Sequence, residues 1–270
     1  MMNIGYINYL NCFPFYYHMF EVEPLGGVNV IPAYPGELNR LVKSKELSMS
    51  PISAAAYSYL QKDCVILPDF CLRSVGYVKS VVLQSRLPIE ELDGKRVGLT
   101  TASETSVVLL KILLKKYYGV SPEYMPVRPK PDFTDIDAAL VIGNEAMMET
   151  PVPVEYSYDL GDLWFRKTGY PVVFAIFIAR RDAVRYSASL IRDVCRSYRK
   201  SLKVLADERE LLVNRAGARY PEIKYDISDY YDCLKFEFTG DLKEALLFYF
   251  REAHAAGILD DVKELEFMNL

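Results

Sequence analysis

Short apolar runs rich in β-branched and aromatic residues alternate with helical stretches along this chain. That alternation constrains the fold more than any other feature, because strand–helix repetition is the pattern of α/β layers with largely parallel sheets. Asn3–Tyr9 and Asn29–Tyr34 read as the first two strands. The second runs into Pro35-Gly36-Glu37-Leu38-Asn39-Arg40-Leu41-Val42, which has proline at a helix start. Ile52–Leu60 reads as a further helix entered through Ser50-Pro51, and Gly76–Ser85 as a strong strand. Lys95 to Gly143 supplies β-α-β-β elements, ending in the buried run Asp137–Gly143. Tyr170–Ala179 is too β-branched and aromatic for a helix. From Asp182 the pattern is helical, with basic residues on one face through Lys203, and a last helix from about Asp241 to Ala256 stops at Gly257.

With 270 residues and 51% hydrophobic content, the chain can bury the core of one large domain or two lobes. The charge and turn signal at Leu87–Gly94 suggest a first crossing between lobes, and Tyr170–Ala179 carries the chain back. The expected division is residues 1–86 and 176–270 as a discontinuous first lobe, with 87–175 inserted as the second. A lobe interrupted by another and closed by C-terminal helices is the plan of the periplasmic-binding-protein-like type II fold. In such α/β folds small ligands sit in the cleft where strand ends and helix N-termini converge.

Composition narrows the function. A net charge of −4 with interspersed acids and bases gives no nucleic-acid or membrane-surface signature. No apolar run approaches the roughly 20 residues of a membrane span. The N-terminus lacks a basic n-region, and the five scattered cysteines contain no C-x-x-C pair, which suits free thiols in a reducing cytoplasm. His18 and His254 are the only histidines and neither has a ligand-spaced partner, so no metal is expected; no nucleotide loop spacing occurs, so no cofactor is expected.

Four loops carry ligand signals. In Thr100-Thr101-Ala102-Ser103-Glu104-Thr105-Ser106, hydroxyl side chains crowd a strand-to-helix junction, where free backbone N–H groups can seat an anion. Thr101 and Glu104 also have capping-box spacing, so helix punctuation is the competing reading. The other loops are Asn8-Tyr9-Leu10-Asn11-Cys12-Phe13-Pro14, Ser50-Pro51-Ile52-Ser53 and Gly143-Asn144-Glu145-Ala146. Ser80 is a small polar residue in an otherwise apolar strand near the proposed hinge. The aromatic cluster Phe13, Phe15, Tyr16, Tyr17 and Phe20 reads as lobe core, and Trp164 as packing within an amphipathic helix.

Taken in order, these segments resemble one family over nearly the whole chain: chorismate dehydratase of the futalosine route to menaquinone. The likeness runs through Ile7–Pro14, Tyr34–Leu41, Ser50–Ser53, Leu67–Asp69, Ser80–Leu83, Ser103–Val107, Asp137–Gly143, Asp159–Trp164 and Thr168–Ala175. One departure is Asn144, where the family usually has Asp. The resemblance implies a lyase that converts the dianion chorismate to 3-[(1-carboxyvinyl)oxy]benzoate and water. It implies Asn11 and Ser80 as catalytic residues and Ser53, Ser103, Thr105, Ser106, Gly143 and Asn144 as substrate-binding residues, with Ser103, Thr105 and Ser106 facing one carboxylate. For the base, the substrate's own enolpyruvyl carboxylate is preferred over Glu145, the only carboxylate of the fourth loop. Two alternatives stay open: the related dihydroxynaphthoate-forming cyclase, whose members carry a His in the loop matching Gly143-Asn144-Glu145, and a non-catalytic small-anion-binding module.

Overall fold

The first strand, β1 (Met2–Ile7), is buried along nearly its whole length apart from Asn3, as a central parallel strand is. It pairs in parallel with β2 (Val28–Ala33) and β3 (Met49–Ser53). Two long strands, β10 (Val172–Arg180) and β4 (Cys64–Ser74), complete this sheet in the order β2-β1-β3-β10-β4, with β10 antiparallel to both neighbours. The second sheet has the order β7-β6-β8-β5-β9. Here β6 (Arg96–Thr100) is parallel to β7 (Glu123–Val127) and β8 (Ala138–Ile142), whereas β5 (Val81–Ser85) is antiparallel to β8 and β9 (Tyr156–Asp159). Both sheets are therefore mixed, with antiparallel pairing concentrated on the strands nearest the crossings. The structure is a computed structural model and describes residues 1–148 and 153–269.

The helices are α1 (Phe13–Tyr17), α2 (Pro35–Lys43), α3 (Tyr57–Leu60), α4 (Glu104–Ile112), α5 (Leu160–Thr168), α6 (Arg181–Asp207), α7 (Arg209–Arg219), α8 (Ile227–Cys233) and α9 (Gly240–Ala255). The aromatic cluster after β1 is core: Phe15 packs on Phe70, Phe177, Tyr198 and Phe236. Trp164, 1% exposed, packs against Tyr117, Phe248 and Tyr249. The basic face of α6 is an exposed row of ion pairs, Arg199 with Asp69, Lys200 with Glu23 and Lys203 with Asp207 among them. No described helix is long and apolar enough to cross a membrane.

Several local expectations need correction. Ile52 and Ser53 end β3 instead of starting a helix; a 3-10 turn at Ala54–Ala56 separates them from α3. The strand expected over 76–85 begins only at Val81, because Gly76 and Lys79 both take positive φ, +76° and +62°. β5 then pairs within the second sheet, so the first crossing lies at 75–80 and not at Leu87–Gly94, which merely joins β5 to β6. The return likewise precedes Val172, since all of β10 belongs to the first sheet. The capping residue of α4 is Ser103, whose Oγ accepts the Ser106 N–H, and not Thr101.

Candidate active site

Strand direction explains why the expected loops meet. β1, β3, β6 and β8 end at the cleft, so the segments after them, carrying Asn11, Ser53, Ser103 and Gly143, converge there. β5 and β10 run the other way: Val81 pairs with Ile142 and Ala175 with Ser53, which brings the start of β5 and the middle of β10 to the same place. The result is one small cavity between the sheets that is lined by Asn11, Ser53, Ser80, Ser103, Ser106 and Gly143, with apolar walls from Ile7, Phe174 and Leu234. Among the described residues, no charged side chain lines it.

Asn11 sits in the 3-10 turn Leu10–Cys12 directly after β1. That turn is fixed from two sides: the Leu10 N–H donates to Asn144 Oδ1 at 2.9 Å, and the Tyr231 hydroxyl donates to the Leu10 carbonyl at 3.0 Å. Asn11 Oδ1 itself is buried and accepts no hydrogen bond from the described residues. A buried amide oxygen without a partner costs about 1–3 kcal/mol, so it marks a place where a ligand donor belongs.

Ser80, 1% exposed, is held by its backbone and its side chain. Its carbonyl accepts the Gly143 N–H at 2.8 Å, and its Oγ accepts from the Tyr230 hydroxyl at 2.8 Å. The left-handed Lys79 just before it is stabilised by Asp159, whose carboxylate accepts the N–H groups of Val78, Lys79 and Asp162. Burial raises the Asp159 pKa, and these N–H donors offset part of the rise. Gly143 must be glycine: its φ is +66°, and an added Cβ would lie 2.3 Å from Tyr9 Cζ.

Ser103 and Ser106 lie at the α4 N-terminus with their hydroxyls 3.2 Å apart. Ser53 Oγ accepts the Glu104 N–H at 3.2 Å, so a first-lobe hydroxyl occupies one of the free donors of that helix end. Two expected binding residues face elsewhere. The Thr105 hydroxyl donates to the Phe174 carbonyl at 2.9 Å and accepts the Ala55 N–H at 3.1 Å, tying the lobes together outside the cavity. Asn144 braces the Asn11 turn through Oδ1 and donates to Glu222 Oε1 at 3.2 Å; its amide does not line the cavity either.

Glu145 is also outside the cavity, where it accepts the Tyr34 hydroxyl at 3.0 Å in an outer groove. Burial and the nearby Glu145 carboxylate raise the pKa of Tyr9, whose ring forms part of the wall between groove and cavity. His18 packs near Ser197, away from the cleft, and burial lowers its pKa. The five thiols are free, and burial pushes that of Cys64 up to about 12. Among the described residues, no group of three His, Cys, Asp or Glu side chains is placed to hold a metal ion.

Sequence reasoning missed the supports of the site. Asn39 and Tyr9 lay inside segments already singled out, so their motifs were a usable signal. Tyr230 and Tyr231 arrive from α8, more than two hundred residues after Asn11, and nothing local announces them. The cavity as it stands is small, about 40 Å³. Typical small-molecule sites hold ~300–1,000 Å³, so a ligand of any size requires the lobes to part.

Comparison with known proteins agrees with this architecture. A family model described as menaquinone biosynthesis matches residues 2–255. The chorismate dehydratase of Thermus thermophilus is 34% identical over 231 residues, covering 79% of this chain and 82% of that protein. The 1,4-dihydroxy-6-naphtoate synthase of the same organism is 24% identical, covering 82% of this chain and 81% of that protein. Among solved structures, a protein of Archaeoglobus fulgidus superposes with a TM-score of 0.75 at 19% identity, covering 96% of this chain and 98% of that one. The periplasmic aliphatic sulphonate binding protein SsuA of Escherichia coli gives a TM-score of 0.64 at 12% identity, covering 100% of this chain and 94% of that one. Those two structures establish the periplasmic-binding-protein-like fold alone. The family match along most of the chain establishes more: this protein belongs to the menaquinone biosynthesis family.

Proposed function

We propose that this protein is a chorismate dehydratase, a lyase that removes water from chorismate to give 3-[(1-carboxyvinyl)oxy]benzoate. The observation that carries the reading is the unpartnered, buried Asn11 Oδ1 within a cavity of four serine hydroxyls at a helix N-terminus. The identity to the Thermus enzyme supports the same substrate. Identity to the naphtoate synthase is lower, and no histidine lines the cavity, which disfavours the cyclase alternative.

The chemistry suits neutral donors. In chorismate the ring carboxylate acidifies the hydrogen on the ether-bearing carbon through the conjugated double bond. Removing that proton moves charge onto the ring carboxylate; expelling the neighbouring hydroxyl then makes the ring aromatic. Ser103, Ser106 and the α4 N-terminus would receive the ring carboxylate, where the helix dipole and N–H groups favour growing negative charge. Ligand binding would take over the Glu104 N–H now engaged by Ser53 Oγ, leaving Ser53 and Ser80 as donors from the opposite wall. With no carboxylate or imidazole of the described residues lining the cavity, the enolpyruvyl carboxylate takes the proton and passes it to the departing hydroxyl, which leaves as water. Asn11 holds the substrate hydroxyl or that carboxylate in the reactive conformer, a positioning effect that can supply several kcal/mol. Free thiols at the cysteines fit a reducing compartment, and the reading includes a cytoplasmic location.

Incubating purified protein with chorismate tests it. The expected result is an aromatic product lighter than chorismate by one water, seen by absorbance and mass. Chorismate that binds and is recovered unchanged would make this a non-catalytic binding module instead.

A further inference from the structure

We infer that Tyr230 is a positioning residue for the reaction, setting the Ser80 hydroxyl as a donor toward the substrate. α8 lies behind the cavity and presents two adjacent tyrosines to the two elements that carry Asn11 and Ser80. Tyr231 donates to the Leu10 carbonyl, in the turn that holds Asn11, and Tyr230 donates to Ser80 Oγ at 2.8 Å. Both rings are buried, Tyr230 completely, and α8 is itself anchored by its Asp226 cap and by Arg209, which reaches Ser228 and Asp232. One short helix thus brackets a first-lobe turn and the start of a second-lobe strand.

The direction of the Tyr230 hydrogen bond matters. A phenol has one proton, and this one goes to Ser80 Oγ. Ser80 lines the cavity, so its own proton is left to point into that space. Accepting one hydrogen bond also strengthens a hydroxyl as a donor in its next. Burial raises the Tyr230 pKa, so the phenol keeps the proton that it donates to Ser80. Tyr230 does not line the cavity, so it acts through Ser80 and not on the substrate.

The inference rests on the chorismate reading, and steady-state kinetics separate the two. Tyr230→Phe keeps the ring and removes the hydroxyl. It should lower kcat on the order of tenfold with KM within about threefold, since an indirect donor counts for less than the ~10²–10³ of a direct one. In a Ser80→Ala background the same change should have no further effect. A purely structural tyrosine would instead give equal losses in both backgrounds. Near-wild-type kcat for Tyr230→Phe, or equal losses, overturns the inference while wild-type turnover stands; absent wild-type turnover overturns the chorismate reading itself. If Tyr230→Phe does not fold, 3-fluorotyrosine at position 230 keeps the hydroxyl and lowers its pKa. It should change kcat and leave KM alone, and an unchanged kcat also overturns the inference.

Discussion

Asn39 Nδ2 donates to Glu104 Oε1 at 2.9 Å, joining α2 of the first lobe to α4 of the second. Asn39 is completely buried, and its Oδ1 accepts the Ser53 N–H at 3.0 Å, so one amide fixes a cavity serine and a cleft-spanning contact together. The Tyr59 hydroxyl closes the group on the Glu104 carboxylate at 2.8 Å. Replacing Asn39 with Leu strands the Ser53 N–H and removes a donor from Glu104. The expected cost is about 1–3 kcal/mol of stability, read from a denaturant midpoint. An unchanged midpoint would mean that the amide is dispensable to the closed arrangement.

Ser103 and Ser106 separate helix capping from ligand binding. Ser103 caps α4, so Ser103→Ala should cost about 1 kcal/mol of stability. Ser106 caps nothing, and Ser106→Ala should leave the denaturant midpoint nearly unchanged. Both should weaken chorismate binding, since hydrogen bonds to charged groups contribute about 1.5–3 kcal/mol each. Unchanged affinity in both variants, measured by calorimetry, would move the carboxylate seat elsewhere.

The pH profile tests for a protein base that titrates near neutrality. The tyrosines about the cavity have their pKa values raised above 10.0 by burial, Tyr9 further by Glu145 and Tyr230 despite Ser80 and Asn11. A raised phenol pKa keeps the donor form fully present below the ordinary value and loses it only as pH rises through the raised one. Asn11 and the serines do not titrate in this range. Therefore kcat should be flat between about pH 6 and about pH 9. A limb near neutrality would assign the proton to an ionisable protein group.

Glu145 is the sharpest single test of that alternative. Its carboxylate accepts from Tyr34 outside the cavity. Glu145→Gln should therefore keep turnover within about tenfold of wild type, the size expected when no proton-transfer group is removed. Turnover abolished with chorismate still bound would make Glu145 the base.

How far the sequence foretold this arrangement depends on the range of the forces involved. β8 was legible because its apolar run is continuous, and β1 and β2 because their mostly apolar runs are bounded by turn residues. Ile52–Leu60 was misread because Ala54-Ala55-Ala56 favours helix locally, whereas pairing of Ile52 and Ser53 with β10 decides the strand. β4 went unread since Pro68 and Asp69 interrupt it; an edge strand tolerates them. Six of the eight candidate site residues reach one cavity because strand ends place them there. Thr105 and Asn144 carry equally suitable side chains, and only tertiary partners, Phe174 and Ala55 for one and Leu10 and Glu222 for the other, turn them to structural use. Tyr230 and Tyr231 were invisible for the same reason.

Asn11 bears the central claim, that the protein positions chorismate while the substrate supplies its own base. The measurement is kcat and chorismate affinity of Asn11→Ala beside wild type, with the fold checked by circular dichroism. An interaction used mainly in the transition state lowers kcat more than it weakens binding, so turnover should collapse while much of the affinity remains. Asn11→Asp should also be slow, because it sets a further negative charge beside a dianion despite offering a carboxylate. Full activity in Asn11→Ala would contradict the account and leave the family likeness as a statement about the fold.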